Sequence, residues 1–277
     1  MTSPPQPAGV AGPIAMVGGG QMALAMASGF CRVGVAIPAS IRFHDPSPPA
    51  VERLLAAVPG ATAAASNAEA VASAPLVFLA IKPQHAEEVC REIAPALAPQ
   101  AVVVSILAGV RIERLRAWLG TPRIVRVMPN TPCLVGRGVM LLCGDPAVPS
   151  ERMAEVESLL ETVGRVHRLP ESLFDAGTGL SGSGPGFLAV VVEALADGGV
   201  RAGLPRALAM QLAIEVLAGT GALLEATGEH PATLKDRVAS PGGTTIAGLA
   251  VIEAHKVRSA LIEAVAAAAA RAGELGG

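Results

Sequence analysis

Near its start the chain reads Val17-Gly18-Gly19-Gly20-Gln21-Met22-Ala23, directly after the apolar run Ile14–Val17. These residues fit the pattern GxGxxA, which is typical of the turn between the first strand and first helix of a dinucleotide-binding unit. In that pattern Gly18 makes the tight turn, Gly20 lets the backbone approach a pyrophosphate, and Ala23 lets the helix pack on the sheet. The helix N-terminus would hold the negative charge. The alternative is a glycine-rich turn that binds nothing.

Beyond this turn, short apolar runs alternate with segments rich in Ala and Leu, the pattern of a parallel sheet covered on both faces. Strands are predicted at Ile14–Val17, Ile41–His44, Leu76–Ala80, Val102–Ile106, Ile124–Met128, Gly138–Leu142 and Arg165–Arg168. Helices are predicted at Gln21–Val33, Ala50–Ala57, Ala68–Ala72, His85–Leu97, Ile112–Trp118 and Glu151–Val163. The pattern indicates an α/β fold, with a Rossmann-type, doubly wound, mostly parallel sheet as the dinucleotide-binding domain over residues 13–171.

The rest of the chain is expected to be all-α, because no strand pattern follows Glu171. Segments such as Gly186–Val200 and Pro205–Ala226 are apolar on more than one face, which a small monomeric bundle could not cover. We therefore expect residues 172–277 to form a helical substrate and dimerisation domain. Residues 1–12, with three prolines and no positive charge, are predicted to be a flexible tail.

Charge and hydropathy exclude two classes of partner. The chain has 277 residues, of which 21 are basic and 23 acidic, with no basic run that could release counterions from a phosphate backbone. We therefore expect no nucleic-acid partner. Apolar stretches such as Leu188–Val192 are interrupted by Glu193 and Asp197, which predicts that no segment spans a membrane.

Cysteine spacing argues against a metal site or a disulfide framework. Cys31, Cys90, Cys133 and Cys143 are at least ten residues apart and form no CxxC pair. We expect no bound metal. Reduced thiols, and a start that lacks the basic region of a signal peptide, favour a cytoplasmic protein.

An acidic residue about twenty positions beyond the glycine turn, at the end of the second strand, commonly bonds the ribose hydroxyls of NAD. Asp45 stands there and favours NADH. Pro46-Ser47-Pro48 follows, so Asp45 could instead point away while Ser47 and Arg42 meet the 2′-phosphate of NADPH. A plain turn or helix-capping aspartate is a third reading. The sequence leaves the cofactor as NADPH or NADH.

Four later segments resemble pyrroline-5-carboxylate reductases and, with the glycine turn, cover nearly all of the chain after its first twelve residues. They are Ala80-Ile81-Lys82-Pro83, Arg126-Val127-Met128-Pro129-Asn130-Thr131-Pro132, Gly179-Leu180-Ser181-Gly182-Ser183-Gly184-Pro185 and Asp236-Arg237-Val238-Ala239-Ser240-Pro241-Gly242-Gly243-Thr244-Thr245-Ile246. The resemblance implies NAD(P)H-dependent hydride transfer to the C=N carbon of L-1-pyrroline-5-carboxylate, which gives L-proline in the last step of proline biosynthesis. It also implies a homodimer, or a ring of dimers, with interleaved helical domains.

The substrate is a small cyclic imine with one carboxylate, and the segment from Ser240 to Thr245 could bind it. Its two glycines leave backbone amides unobstructed, and it leads into a predicted helix at Ile246–Glu253, which makes an anion site. The candidate substrate-binding residues are Ser240, Gly242, Gly243, Thr244 and Thr245. The resemblance implies that Thr245 hydrogen-bonds the ring nitrogen and is the catalytic residue; an ordinary helix-capping threonine is the alternative.

The glycine turn contributes Gly18, Gly19, Gly20, Gln21 and Met22 as candidate cofactor-binding residues. Lys82 follows a predicted strand at its carboxyl end, where open α/β sheets bind ligands. The resemblance implies that this segment, with Ala80 and Pro83, lines the cofactor, and that Ala108 does so too. The alternative for Lys82 is a surface lysine at the start of a loop.

Two asparagines are further candidates. The resemblance places Asn67 near the cofactor ribose, although it could equally cap the following helix. Asn130 lies between two prolines in a rigid turn after a strand, where it could orient the nicotinamide. Asparagine is also a common turn residue.

The chain departs from the family pattern at one position, and its residues fit two other functions less well. The chain has Pro185-Gly186-Phe187 where the family often has Pro-Ala followed by an aromatic residue. A 3-hydroxyacid dehydrogenase would carry GxxGxGxxxK with a catalytic lysine, and this chain has Leu188 at the lysine position. A non-catalytic nucleotide-binding sensor would have no use for the segment from Ser240 to Thr245.

Overall fold

A computed structural model describes residues 12–276; the predicted tail lies outside them except for Gly12. Within these residues one sheet contains β1 (Ile14–Val17), β2 (Ile41–His44), β3 (Thr62–Ala63), β4 (Leu76–Leu79), β5 (Val102–Ser105), β6 (Ile124–Met128), β7 (Gly138–Gly144) and β8 (Gly164–Arg168). Their order is β3-β2-β1-β4-β5-β6-β7-β8. Neighbouring strands are parallel except β6 and β7, which are antiparallel. The α/β fold with a mostly parallel sheet is confirmed.

Twelve α-helices lie in the described part of the chain. They are α1 (Gln21–Arg32), α2 (Pro48–Ala57), α3 (Asn67–Val71), α4 (Ala86–Ile93), α5 (Ile112–Leu119), α6 (Ser150–Glu161), α7 (Phe174–Gly177), α8 (Gly184–Arg201), α9 (Arg206–Thr227), α10 (Pro231–Arg237), α11 (Thr244–Ala254) and α12 (Val257–Gly276). A π-helical turn at Thr178–Gly182 separates α7 from α8. The absence of strands after Glu171, expected from the sequence, holds for residues 172–276.

The central strands are buried on both faces, and alternate side chains feed two separate cores. Ile14 and Met16 of β1 join Phe30 of α1 in one cluster. Ala15 and Val17 join a second cluster with residues of α4 and α5 on the opposite face. The near-continuous apolar runs of the sequence are therefore explained by burial from both sides.

Prolines account for two differences from the predicted helices. The segment predicted as one helix at His85–Leu97 is a 3₁₀ turn at Pro83–His85, then α4, then a 3₁₀ turn at Ala94–Ala96. Pro95 removes an N–H and clashes with the preceding turn, so the α-helix stops at Ile93. Helix α2 begins at Pro48 rather than Ala50, because prolines are accepted in the first turn of a helix.

Strand β3 was not predicted. It has only two residues, Thr62 and Ala63, both exposed, which pair with Arg42 and Phe43 of β2. A run this short shows no alternation that a sequence pattern could reveal.

The chain divides into two compact units, which comprise residues 12–182 with 268–276 and residues 183–267. The division falls after residue 182, whereas the sequence predicts a boundary after residue 171. In the second unit α8 and α9 pack through a small core of Ala196, Ala209 and Ala213. A core of alanines brings the two helix backbones close together but buries little apolar area.

Much of the second unit's apolar surface is exposed. Exposed large apolar residues occur on α8, α9, α11 and α12 and include Val190, Val216, Val251 and Ile262. Two stretches, Glu171–Arg201 and Arg206–Thr227, are long and apolar enough to cross a membrane by length and composition alone, so the expectation of no membrane span stays a prediction. Length and composition are weak evidence, because helices that pack against other protein pass the same test.

A buried arginine pairs with a partly exposed glutamate and joins the sheet to the 3₁₀ turn at Glu171–Leu173, just before α7. Arg126 of β6, 4% exposed, donates from Nη1 to Oε1 of Glu171 at 2.9 Å. The same oxygen accepts the N–H of Ile112 at 2.9 Å, and the guanidinium lies 4.8 Å from the ring centroid of Phe174. Glu171 therefore satisfies both a buried cation and the first amide of α5.

We expect Glu171→Ala to lower the free energy of unfolding by about 2–4 kcal/mol, because it leaves the Arg126 charge buried without a partner. Glu87→Ala is the matched control, because Glu87 pairs with Arg91 on the exposed surface of α4. This variant should lower the free energy of unfolding by less than about 1 kcal/mol. Urea unfolding at one protein concentration measures both. Equal losses in the two variants would contradict this role of Glu171.

Candidate active site

The glycine turn sits where the carboxyl ends of β1, β2 and β4 meet. Gly18 has a φ of +98°, and a Cβ there would lie 2.6 Å from the carbonyl oxygen of Ala80. Its N–H donates to the carbonyl of His44 at 2.8 Å, while Ala80 N–H donates to Val17 at 2.8 Å. Only glycine fits this position. The close approach of Gly18 to Ala80 places the glycine turn beside the segment Ala80-Ile81-Lys82-Pro83.

Gly20 serves a different purpose from Gly18. It is the N-cap of α1 with extended backbone, and a Cβ there would meet no atom of the protein within 4 Å. The first amides of α1, from Gln21 onward, have no intrahelical partner. An open approach to unpaired N–H groups is what a dinucleotide pyrophosphate requires, so the residues present fit this group. The strand order changes direction between β1 and β4, the place where such sheets bind ligands.

Asp45 faces the glycine turn. Its Oδ2 accepts the N–H of Gly19 at 2.7 Å, and its Oδ1 accepts the N–H of Ser47 at 2.8 Å. The reading in which Asp45 points away from the turn is therefore wrong. Ser47, not Asp45, is the N-cap of α2, and no side-chain hydrogen bond caps that described helix.

The other candidates near the sheet edge lie after β4 and β5. Lys82 is exposed and precedes the 3₁₀ turn that begins at Pro83. Ala108 is half-buried in the turn that follows β5. The two turns follow the carboxyl ends of β4, which pairs with β1, and of β5, which pairs with β4. Open α/β sheets bind ligands at this edge. Contact of these residues with a cofactor stays a prediction.

Asn67 does not cap α3. Ser66 does so, since its Oγ accepts the N–H of Glu69 at 3.1 Å, and Glu69 in turn accepts the N–H of Ala65 at 2.8 Å. The sequence signal was present, because Ser-Asn-Ala-Glu is a capping-box pattern with serine first. Asn67 instead donates from Nδ2 to Glu92 of α4 at 2.9 Å. Its predicted place near the ribose is not tested by these contacts.

Asn130 is buried and holds two backbone segments together. Its Oδ1 accepts the N–H of Val139 on β7 at 2.9 Å, and its Nδ2 donates to the carbonyl of Ser181 at 2.9 Å. These bonds tie β7 to the π-helical turn, which explains why the motifs around Asn130 and Ser181 occur together. No sequence pattern predicts this link, because Asn130 and Ser181 are 51 positions apart.

The segment from Ser240 to Thr245 is a tight turn that opens α11. Gly242 has a φ of +66°, the N–H of Gly243 donates to the carbonyl of Ser240 at 3.0 Å, and a Cβ on Gly243 would collide with the Ser240 hydroxyl. Helix α11 begins at Thr244, two residues before its predicted start. Thr244 and Thr245 are therefore its first two residues, whose amides have no intrahelical partner.

The candidate residues fall in both units. The glycine turn, Asp45, Lys82, Ala108 and Asn130 belong to the first, which comprises residues 12–182 and 268–276. Ser240 to Thr245 belong to the second, residues 183–267. The candidate cofactor residues therefore lie in one unit and the candidate substrate residues in the other.

Burial raises the pKa of all four cysteine thiols, Cys31, Cys90, Cys133 and Cys143. Burial raises the pKa of Cys90 to about 12. Burial and, secondarily, the charge of Glu171 raise the pKa of Cys143 to about 12 despite the opposing charge of Arg126. Among residues 12–276, no group of three His, Cys, Asp or Glu side chains is arranged to hold a metal ion.

Two family models match the chain. Residues 13–109 match a model described as NADP oxidoreductase, coenzyme F420-dependent. Residues 171–275 match a model described as pyrroline-5-carboxylate reductase dimerisation. The second match covers the exposed apolar helices, so association through this half of the chain accounts for their surface.

Known proteins of the same kind match over most of the chain. A pyrroline-5-carboxylate reductase of a Synechocystis species is 48% identical, over 76% of this chain and 78% of that protein. One from Pisum sativum is 39% identical over 95% of both chains. The crystal structure of Plasmodium falciparum pyrroline carboxylate reductase with NADP bound is 30% identical, with a TM-score of 0.87 over 96% of this chain and 98% of that one.

These matches confirm the predicted fold and the activity of an oxidoreductase that uses a nicotinamide cofactor. They also agree with the glycine turn and the switch in strand order described above. The chain belongs to the pyrroline-5-carboxylate reductase family.

Proposed function

We propose that this chain reduces the C=N bond of L-1-pyrroline-5-carboxylate to give L-proline, the last step of proline biosynthesis, with its own residues in the roles given below. The nicotinamide, when bound, supplies the hydride that reaches the imine carbon. The observation that carries the proposal is the turn from Ser240 to Gly243 at the start of α11 in a chain that also has an open dinucleotide turn.

The substrate carboxylate would bind the first amides of α11. Gly242 and Gly243 leave these amides unobstructed, and Ser240 adds a hydroxyl beside them. A carboxylate at a helix N-terminus gains about 0.3–1 kcal/mol when exposed and up to about 2 kcal/mol when partly buried. This interaction is sufficient to orient a small substrate, and it uses backbone groups that a side-chain mutation cannot remove.

Thr245 would hold the ring nitrogen. A threonine hydroxyl both donates and accepts, so it can accept a hydrogen bond from a protonated iminium or pass on a proton from water. Because a hydroxyl is a poor acid, we assign Thr245 the task of holding the iminium N–H while the carbon is attacked. The nitrogen then carries the proton of the product amine, which balances the reaction.

The cofactor-binding residues would be Gly18, Gly19, Gly20, Gln21 and Met22 at the pyrophosphate, with Asp45 and Ser47 at the adenosine ribose. Ala80, Lys82, Pro83 and Ala108 lie along the adjoining edge, with Asn67 assigned to a ribose and Asn130 to the nicotinamide end. The open space at Gly20 and the fixed carboxylate of Asp45 support this assignment.

The direct test is to incubate the purified protein with L-1-pyrroline-5-carboxylate and each reduced cofactor and to follow nicotinamide absorbance. We expect oxidation that depends on both substrate and enzyme. A 3-hydroxyacid in the reverse direction is the comparison, and it should give no reduction of NAD⁺ or NADP⁺, because Leu188 replaces the lysine such enzymes need. No oxidation of either reduced cofactor would refute the proposal.

We also propose a homodimer or a ring of dimers in the cytoplasm, with no nucleic-acid or membrane partner. Sedimentation at micromolar concentration should give a dimer or larger. Val216→Glu on exposed α9 should promote dissociation, whereas Ile37→Glu, an equally exposed apolar position in the first unit, should not. A stable wild-type monomer, or equal dissociation of both variants, would contradict this assembly.

A further inference from the structure

We propose that this chain prefers NADH to NADPH because Asp45 and the proline-rich loop after it reject a 2′-phosphate. The inference rests on the proposed cofactor site and extends it, since the family match is compatible with either cofactor. Two independent features of the described residues carry it: the anchoring of the carboxylate, and the absence of usable N–H groups between residues 46 and 51.

The first feature is that Asp45 cannot easily turn away. Its two carboxylate oxygens are held by separate backbone amides, those of Gly19 at 2.7 Å and Ser47 at 2.8 Å. A Cβ added to Gly19 would lie only 3.3 Å from the Cβ of Asp45, so the Asp45 side chain packs against the glycine turn. Each oxygen keeps a further lone pair, which suits the 2′- and 3′-hydroxyls of an adenosine ribose as donors.

The second feature is that the loop offers a phosphate no free backbone N–H between residues 46 and 51. Phosphates commonly bind the free amides at a helix N-terminus. Here Pro46, Pro48 and Pro49 have no N–H, and the N–H of Ser47 is used by Asp45. The amides of Ala50 and Val51 donate to the carbonyl of Ser47 at 2.9 and 3.1 Å. Every N–H from residue 46 to residue 51 is therefore missing or already bonded.

The two nearby arginines start at a distance from Asp45 along their own elements. Ile41 and Phe43 point into the core under α1 and α2, so Arg42, between them on β2, points to the opposite face of the sheet. It also lies three residues, or about 10 Å, before Asp45. Arg53 lies about 7–8 Å along α2 from Pro48. A 2′-phosphate, with a charge of about −1.5 to −2, would meet the Asp45 carboxylate first.

The test uses two ligands that lack nicotinamide, ADP-ribose and 2′-phospho-ADP-ribose, titrated calorimetrically into the full-length oligomer. We expect ADP-ribose to bind at least about tenfold more tightly, because like charges placed together strongly disfavour a complex. Asp45→Asn keeps the side-chain shape but removes the charge and one hydrogen-bond acceptor. It should therefore weaken the binding of ADP-ribose and reduce the affinity ratio of ADP-ribose to 2′-phospho-ADP-ribose to about threefold or less.

Glu52→Gln is the matched control, because it removes one negative charge from an exposed position of α2 and should leave the ratio unchanged. The wild-type ratio alone decides the proposal if Asp45→Asn fails to fold. Equal or tighter binding of the phosphorylated ligand, equal shifts in both variants, or no binding of either ligand would overturn it. Neither ligand contains nicotinamide, so this measurement does not depend on the reaction. If the enzyme failed to reduce pyrroline-5-carboxylate but kept the affinity ratio, the proposed reaction would be refuted and the cofactor preference would stand.

Discussion

Replacing Thr245 with alanine should lower kcat at least about tenfold, and up to about 10⁴-fold, while the protein still binds its cofactor. The reason is that the hydroxyl is assigned to the imine nitrogen, whereas the nucleotide site lies on other residues. Thr245 is the second residue of α11 and is half-buried, so removing its hydroxyl opens no large cavity. Steady-state kinetics with pyrroline-5-carboxylate, together with a separate cofactor titration, measure the two effects.

Two further variants separate chemistry from packing at this position. Thr245→Ser keeps the hydroxyl and should recover most of kcat, while Thr245→Val keeps the shape and should resemble alanine. If Thr245→Val turned over normally, the hydroxyl would have no part in the reaction. If all three variants lost activity together with cofactor binding, the defect would lie in the fold of α11.

The second large effect should come from Gly18, and it should differ in kind from that of Gly20. Gly18→Ala puts a Cβ 2.6 Å from the Ala80 carbonyl at a φ of +98°, so the turn must deform. Strain of this kind costs about 1–3 kcal/mol, and the collision adds to it. We expect a lowered free energy of unfolding and loss of cofactor binding.

Gly20→Ala should weaken the cofactor without destabilising the protein. A Cβ on Gly20 meets nothing in the protein within 4 Å, but it occupies the approach of the pyrophosphate to the backbone. Thermal unfolding of the protein alone, with and without added cofactor, distinguishes the two variants. If Gly20→Ala proved as destabilised as Gly18→Ala, or if it bound cofactor normally, the assignment of this turn would be wrong.

The sequence was sufficient to predict seven of the eight described strands and the glycine turn because their signals are local. Gly18, Gly20 and Ala23 occur at fixed spacing after an apolar strand, and the buried strands are continuous apolar runs. Local chemistry also explains two errors, since Pro48 was read as a loop residue and is the first residue of α2, and Pro95 ends a helix that was extended through it. A proline is accepted in the first turn of a helix, as at Pro48, but it ends a helix that precedes it, as at Pro95.

What the sequence could not predict depends on residues that are far apart. The bonds from Asn130 to Val139 and Ser181, and from Glu171 to Arg126 and Ile112, join segments with no common pattern. The orientation of Asp45 is similar, because three readings fit the sequence and only its bonds to Gly19 and Ser47 remove one of them. Long-range hydrogen bonds thus set the details of the site on a framework that local signals define.

The central claim is that hydride passes to the imine carbon of pyrroline-5-carboxylate, and isotope transfer tests it most directly. The protein should be incubated with L-1-pyrroline-5-carboxylate and nicotinamide cofactor that carries deuterium at its reducing position, and the proline should be analysed by mass spectrometry and NMR. We expect one deuterium, on the ring carbon beside nitrogen that does not bear the carboxylate. Proline without deuterium at that carbon, or no proline at all, would contradict the account.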